Sequence, residues 1–144
     1  FEPFDTIFFA NVLEHIHDDL GAMASCHRWL KPGGKLLLLV PSHRWLFGTI
    51  DRECGHLRRY TKTDVRILAE RTGFVVNTDY YFNSVGALGW WANYCLLRRR
   101  GTNNDETSAQ IGFFDKIVPY CRAIENILHP PFGISLISIM TRNK

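Results

Sequence analysis

The sequence predicts an α/β fold on a largely parallel sheet, and two observations carry that prediction. Strand-like segments recur at residues 4–13, 36–40, 74–82 and 134–141, and the first two and the last are nearly unbroken apolar runs. Apolar runs without strict alternation mark strands covered on both faces. Between the first three segments lie stretches of helical spacing whose joints carry capping residues, glycine and proline. Strands alternating with helices in this way are the pattern of an open α/β sheet.

Each element follows from local signals. Phe4 to Leu13 is dense in Ile, Phe and Val, interrupted only by Asp5, Thr6 and Asn11, and is expected to be a central parallel strand. Asp18 and Asp19 can cap a helix that runs through Leu30 with Leu20, Met23, Ala24 and His27 on one stripe; Lys31-Pro32-Gly33-Gly34 then stops it. Lys35 leads into the apolar strand Leu36 to Val40, which Pro41 ends. Ser42 to Tyr60 is too long for a simple connection, and segments of this kind often carry function. Thr61 with Asp64 forms a capping box before a helix with Val65, Leu68 and Ala69 on its stripe, and Gly73 offers a left-handed exit. Phe74 to Phe82 is the third strand.

Ser84 to Leu97 returns to helical spacing and is apolar nearly all round. Residues 98–110 read as a loop or short linker, and Phe113 to Leu128 as a helix kinked at Pro119. His129-Pro130-Pro131 ends it, and Ile134 to Thr141 supplies the last strand.

Composition bounds the function. A chain of 144 residues has a single-domain length, enough to bury roughly 70% of its unfolded surface. Its apolar and charged fractions, 46% and 22%, exclude a disordered or fibrous class. The net charge of +3 gives no electrostatic case for nucleic acid. Cys26, Cys54, Cys95 and Cys121 are scattered without a C-x-x-C pair, so a structural zinc site of the usual spacing is not expected, and a reduced, cytoplasmic interior suits them better. No apolar run reaches the roughly 18 residues of a spanning helix, and no leader pattern is present. Because the chain opens at Phe1 inside a buried-strand pattern, further sequence is expected before it.

The stretch FDTIFFANVLEHIHDD followed by RWLKPGGKLLLLVP resembles the second half of class I S-adenosylmethionine-dependent methyltransferases, in order and spacing, through Phe82. Leu46-Phe47-Gly48, Asp51, Gly55-His56 and Arg58-Arg59-Tyr60 are similar to a subgroup whose members accompany glycan or lipid modification. The resemblance implies a three-layer Rossmann-like sheet in the order 3-2-1-4-5-7-6 with the last strand antiparallel. On that frame the four strands here stand for 4, 5, 6 and 7, in the spatial order 4-5-7-6. Residues 1–144 would then be the carboxyl-terminal part of one methyltransferase domain, with a helical insertion at about 84–128. Strands one to three, with their glycine-rich turn and ribose-binding acid, would be missing; the N-terminal half would be required, and this chain alone is expected to be inactive.

The implied cofactor is S-adenosylmethionine, and the implied reaction is methyl transfer to an oxygen or nitrogen of a small, glycan-linked or lipid-linked acceptor. Ligands of open α/β sheets lie beyond the carboxyl ends of the strands. By resemblance, Asn11, Val12 and Leu13 would line the cofactor pocket, while Glu14 and His15 would face the reaction chamber or the next helix. His15 is the candidate general base, since an imidazole can accept a hydroxyl proton near neutral pH; its plainer reading is a residue that caps or packs the following helix. His56, Arg58 and Tyr60 could bind an acidic or hydroxylated acceptor, or simply belong to a solvated loop.

Trp90, Trp91 and Tyr94, ahead of three arginines, could admit a lipid chain or rest at the inner face of a membrane; the plainer reading is a helix packed over the sheet. His15-Ile16-His17-Asp18-Asp19 also invites a metal-dependent hydrolase reading, but the remaining ligands do not appear in the sequence and no metal is assigned. A further alternative is a non-catalytic binding or scaffold module that pairs with a separate cofactor-binding chain.

Overall fold

The computed structural model describes residues 2–100 and 130–143. Strand β1 (Phe4–Ala10) leads through a 3-10 turn (Leu13–His15) to helix α1 (Asp19–Trp29) and strand β2 (Leu30–Pro41). A second 3-10 turn (Arg44–Leu46) and the short helix α2 (Thr49–Glu53) precede helix α3 (Lys62–Thr72) and strand β3 (Phe74–Phe82). Helix α4 (Ser84–Trp90) continues as a π-helical segment (Trp91–Leu96), and β4 (Ser135–Arg142) closes the order. The loop read at 98–110 lies mostly, and the kinked helix at 113–128 wholly, outside the described residues.

The four strands form one mixed sheet in the order β1-β2-β4-β3. β1 runs parallel to β2, whereas β4 is antiparallel to both of its neighbours. This is the 4-5-7-6 arrangement that the sequence implied. The turn expected at Lys31 to Gly34 is instead a bulge inside β2: pairing with β1 breaks between Phe4 and Thr6 and resumes at Thr6↔Lys35. Gly33 takes φ 79 there, a conformation glycine adopts without cost. A salt bridge of 2.8 Å from Lys31 to Asp5 holds the bulge against β1.

Helices α1 and α3 pack side by side on one face of the sheet. That face supplies the core, with Leu36, Leu38 and Val40 of β2 and Leu136 and Met140 of β4 buried against Met23, Cys26, Val65, Leu68 and Ala69. Leu37, Leu39, Ile137 and Ile139, on the opposite face, are half-buried. The cap signals are realised: Asp18 accepts from the Gly21 N–H, Thr61 and Asp64 form a reciprocal capping box, and Gly73 ends α3 at φ 80.

β1 departs from expectation in two ways. It stops at Ala10, because Asn11 turns to φ 49 and the chain enters the 3-10 turn. It is also largely exposed rather than doubly buried, with Phe8 66% accessible, because among the described residues it pairs on one side only.

Candidate active site

The site grows from two segments that meet at the carboxyl end of β1. The first is Asn11 to His15, where the strand gives way to the 3-10 turn. The second is the connection from Ser42 to Tyr60, which sequence reading left irregular and which holds α2. Backbone hydrogen bonds stitch them together: the Leu57 N–H donates to the Glu14 carbonyl at 2.8 Å, and the His15 Nδ1–H donates to the Gly55 carbonyl at 3.3 Å. Glu14, His15 and His56 thereby converge, with one ligating atom from each lying within 4.8 Å of the others.

The cluster is graded from inside to outside. Glu14 is fully buried, His56 half-buried and His15 exposed. Both carboxylate oxygens of Glu14 lack a hydrogen-bond partner among the described residues. Burial pushes the Glu14 carboxyl above its ordinary range, and its own backbone hydrogen bond, His56 and His15 offset only part of that. The His56 Nε2 stands 3.9 Å from Glu14 Oε1, and the two imidazole rings meet edge to face at 4.8 Å.

His56 is oriented from behind. Its Nδ1 lies 2.7 Å from Asp51 Oδ1 and must donate, since an ionised carboxylate only accepts; the lone pair is therefore on Nε2, toward Glu14. Asp51 is itself fixed by a forked pair with Arg59 at 2.9 and 3.0 Å and by the Gly48 N–H at 2.8 Å. Arg59 also donates to the Ser42 carbonyl at 3.2 Å, and its guanidinium lies 4.9 Å from the centre of the Trp90 ring. Asp51 and Arg59 are buried, so the network is a rigid mount in a low dielectric rather than a solvated ion pair.

Each sequence-predicted site residue can now be placed. His15 and His56 come together; His17 stays outside the cluster, its carbonyl accepting from Arg58 at 3.0 Å. Asn11 and Val12 stand exposed at the end of β1. Leu13 turns its side chain into the core, and its carbonyl faces the Tyr60 hydroxyl at 3.2 Å. Arg58 and Tyr60 both converge on Asp19, at 2.7 and 3.2 Å. Burial, and then the Asp19 carboxylate, push the Tyr60 phenol far above its ordinary value, so it acts as a hydrogen-bond donor and not as a base. Trp90 donates from Nε1 to the Leu46 carbonyl at 3.0 Å and buttresses Arg59.

Asp51 and Arg59 are the residues behind the candidate site to which sequence reading gave no role. Their signal was a carboxylate five residues before a histidine across a glycine turn, with an arginine three further on. A cavity of about 470 Å³ opens between this connection and α3, lined by Asp19, Phe47, Leu57, Arg58, Tyr60 and Ile67 among others and by none of the three cluster residues; Leu57 directly follows His56.

Comparison with known proteins accords with the fold. A family model described as a methyltransferase domain matches residues 2–78. No curated protein matches the chain. Among solved structures, a Bacillus halodurans protein assigned as a methyltransferase is 14% identical with a TM-score of 0.58, over 99% of this chain and 66% of its own. An S-adenosylmethionine-dependent methyltransferase from Mesorhizobium loti is 11% identical with a TM-score of 0.58, over 98% of this chain and 62% of its own. The N-methyltransferase NodS from Bradyrhizobium japonicum, solved with S-adenosyl-L-homocysteine, is 17% identical with a TM-score of 0.50, over 99% and 48%. At these identities the likeness is one of fold, and the chain spans two thirds or less of the length of each structure.

Proposed function

This chain belongs to the methyltransferase-domain family, and from that membership we propose that its protein transfers a methyl group from S-adenosylmethionine to an oxygen or nitrogen of a small, glycan-linked or lipid-linked acceptor. The observation that carries the reading is the Asp51–His56 couple standing beside His15 and Glu14 at the carboxyl end of β1. The residues fit the cofactor there: Asn11, turned at φ 49, offers an amide and Val12 an accessible apolar surface. Leu13 can contribute only backbone, since its side chain is in the core. The one-sided pairing of β1 among the described residues supports a companion reading, that an N-terminal half beyond this sequence completes the sheet and the cofactor site.

When bound, S-adenosylmethionine supplies a methyl carbon already activated by its sulfonium. The protein's own work is alignment, exclusion of water and removal of the acceptor's proton. His56 is suited to the last task, because Asp51 takes its Nδ1–H, leaves the lone pair on Nε2 and stabilises the imidazolium formed when a proton arrives. His15, with Nδ1 committed to Gly55, is the second group able to receive a proton. The neighbouring cavity is largely apolar, with Arg58 and Asp19 among its lining, which suits a sugar ring or the head of a lipid chain.

Transfer of labelled methyl by the full-length protein to a panel of hydroxyl and amine acceptors tests this. His56→Gln should lower the rate by about 10²–10⁴, the span of general-base contributions, with His15→Gln less affected. No transfer to any acceptor despite cofactor binding would favour a binding module, and an unaltered rate in His56→Gln would remove His56 as the base.

A further inference from the structure

We propose that Glu14, His15 and His56 form a binding site for a divalent cation of the zinc, cobalt and nickel class. The inference begins with an anomaly. A fully buried carboxylate whose two oxygens find no hydrogen-bond partner among the described residues calls for a compensating group. The atoms nearest to supply one are imidazole nitrogens, and both imidazoles present the same tautomer. In each, Nδ1–H is given to a protein oxygen, Gly55 for His15 and Asp51 for His56, so in each Nε2 keeps its lone pair.

Two imidazole nitrogens and one carboxylate form a donor set that suits borderline cations; magnesium and calcium prefer oxygen ligands alone. The Asp51 carboxylate behind His56 is the outer partner that fixes a ligating ring, and Arg59 fixes Asp51 in turn. The donor atoms lie within 4.8 Å of one another, and closing on a cation at about 2.0–2.2 Å from each asks for a contraction of roughly 1 Å. His15 is exposed and can make that move by side-chain rotation, while Glu14 and His56 are held by the packed segments around them.

Three protein ligands leave a cation with open positions, and the graded burial places the accessible side of the cluster at His15. Resting on the reading that this cluster faces the methyl acceptor, an acceptor hydroxyl would fill an open position; with the cation held at Nε2, His56 would serve as a ligand in place of a base, and the cation would lower the hydroxyl's pKa so that its proton leaves to water. The site differs from the His15-Ile16-His17 pattern, because His17 lies outside the cluster and the third ligand comes from about forty residues away.

Cobalt(II) titration of the full-length protein, read by ligand-field absorption and calorimetry, tests the site directly. One equivalent should bind, with affinity falling at least about tenfold in His15→Ala, His56→Ala and Glu14→Gln. Asp51→Asn should weaken binding about 10–100-fold and shift the absorption band, as expected of a group that positions a ligand. His17→Ala and Cys54→Ser should bind like wild type. His15→Ala changes an exposed side chain, so it remains informative even if a buried substitution unfolds the protein. Absence of binding, binding insensitive to His15→Ala, or loss of binding in Cys54→Ser would overturn the site. Methyl transfer sustained in excess chelator, with no cation bound, would overturn the cation's part in holding the acceptor while leaving the proposed activity standing. Cobalt binding without methyl transfer would sustain the site and count against the activity.

Discussion

Replacing Asp51 by alanine should be among the most damaging single changes in this chain. Four hydrogen bonds end on its carboxylate: two from Arg59, one from the Gly48 N–H and one from His56. The substitution leaves Arg59, only 3% exposed, with the Ser42 carbonyl at 3.2 Å as its remaining oxygen acceptor. Stranding one partner of a buried pair costs about 3–5 kcal/mol, and the orphaned Gly48 N–H adds about 1 kcal/mol unless water reaches it. A loss of about 4 kcal/mol, set against a total stability of about 5–15 kcal/mol, would move a urea midpoint by about 2 M at a slope near 2 kcal/mol/M. The double variant Asp51→Ala with Arg59→Met removes the stranded charge and should recover at least about 2 kcal/mol relative to the sum of the single changes. Equilibrium urea unfolding of the four proteins decides the matter. A cost below about 1 kcal/mol for Asp51→Ala, or no recovery in the double variant, would refute the view that Asp51 holds a buried charge in place.

Other expectations follow from the same structure. Because the folded Glu14 carboxyl sits above its unfolded value, its ionisation opposes folding at neutral pH, and that penalty is relieved as pH falls through the folded value; in the cation-free protein, unfolding free energy should rise over that interval, and Glu14→Gln should abolish the rise. Asp79 has the opposite sign: burial works to raise its carboxyl, but hydrogen bonds from Arg66 and Lys62 prevail and hold it low. Its contribution is therefore present above the unfolded value, near pH 4, and lost below it, so Asp79→Asn should flatten the acid limb of a stability-pH profile. Thr61→Ala removes one half of the capping box on α3 and should cost about 1 kcal/mol in thermal or urea unfolding.

The legible parts of the fold were those with local causes. Asp18, the Thr61 and Asp64 box, Gly73 and Pro41 each act within a few residues of themselves, and each ends or begins an element where the sequence placed it. The order β1-β2-β4-β3 was legible through resemblance, since nothing local dictates that the last strand inserts between the second and third. The bulge at Lys31 to Gly34 was read as a turn, because its pairing with β1 through Asp5 is invisible to a local reading. β1 was read as doubly buried from its apolar content alone, whereas burial depends on neighbours.

The site divides in the same way. Glu14 and His15 were legible through the resemblance, which sets them just past the first strand, but their meeting with His56 depends on a connection folding back across some forty residues. Asp51 and Arg59 stood in the sequence only as part of the subgroup pattern, without a role; their burial shows them as a pair. Tyr60 and Arg58 were read as acceptor contacts, and the structure ties both to Asp19 at the rim of the cavity.

The central claim, that the carboxyl end of β1 receives S-adenosylmethionine, is tested most directly by calorimetric titration of the full-length protein with that cofactor, comparing wild type with Val12→Asp. Val12 is exposed and outside the core, so the change should leave the fold intact while placing a charge against the ligand. The account predicts saturable binding by wild type, weakened at least about tenfold, or about 1.4 kcal/mol, in Val12→Asp. Wild-type protein that does not bind the cofactor, or a Val12→Asp protein that binds it equally well, would contradict the account.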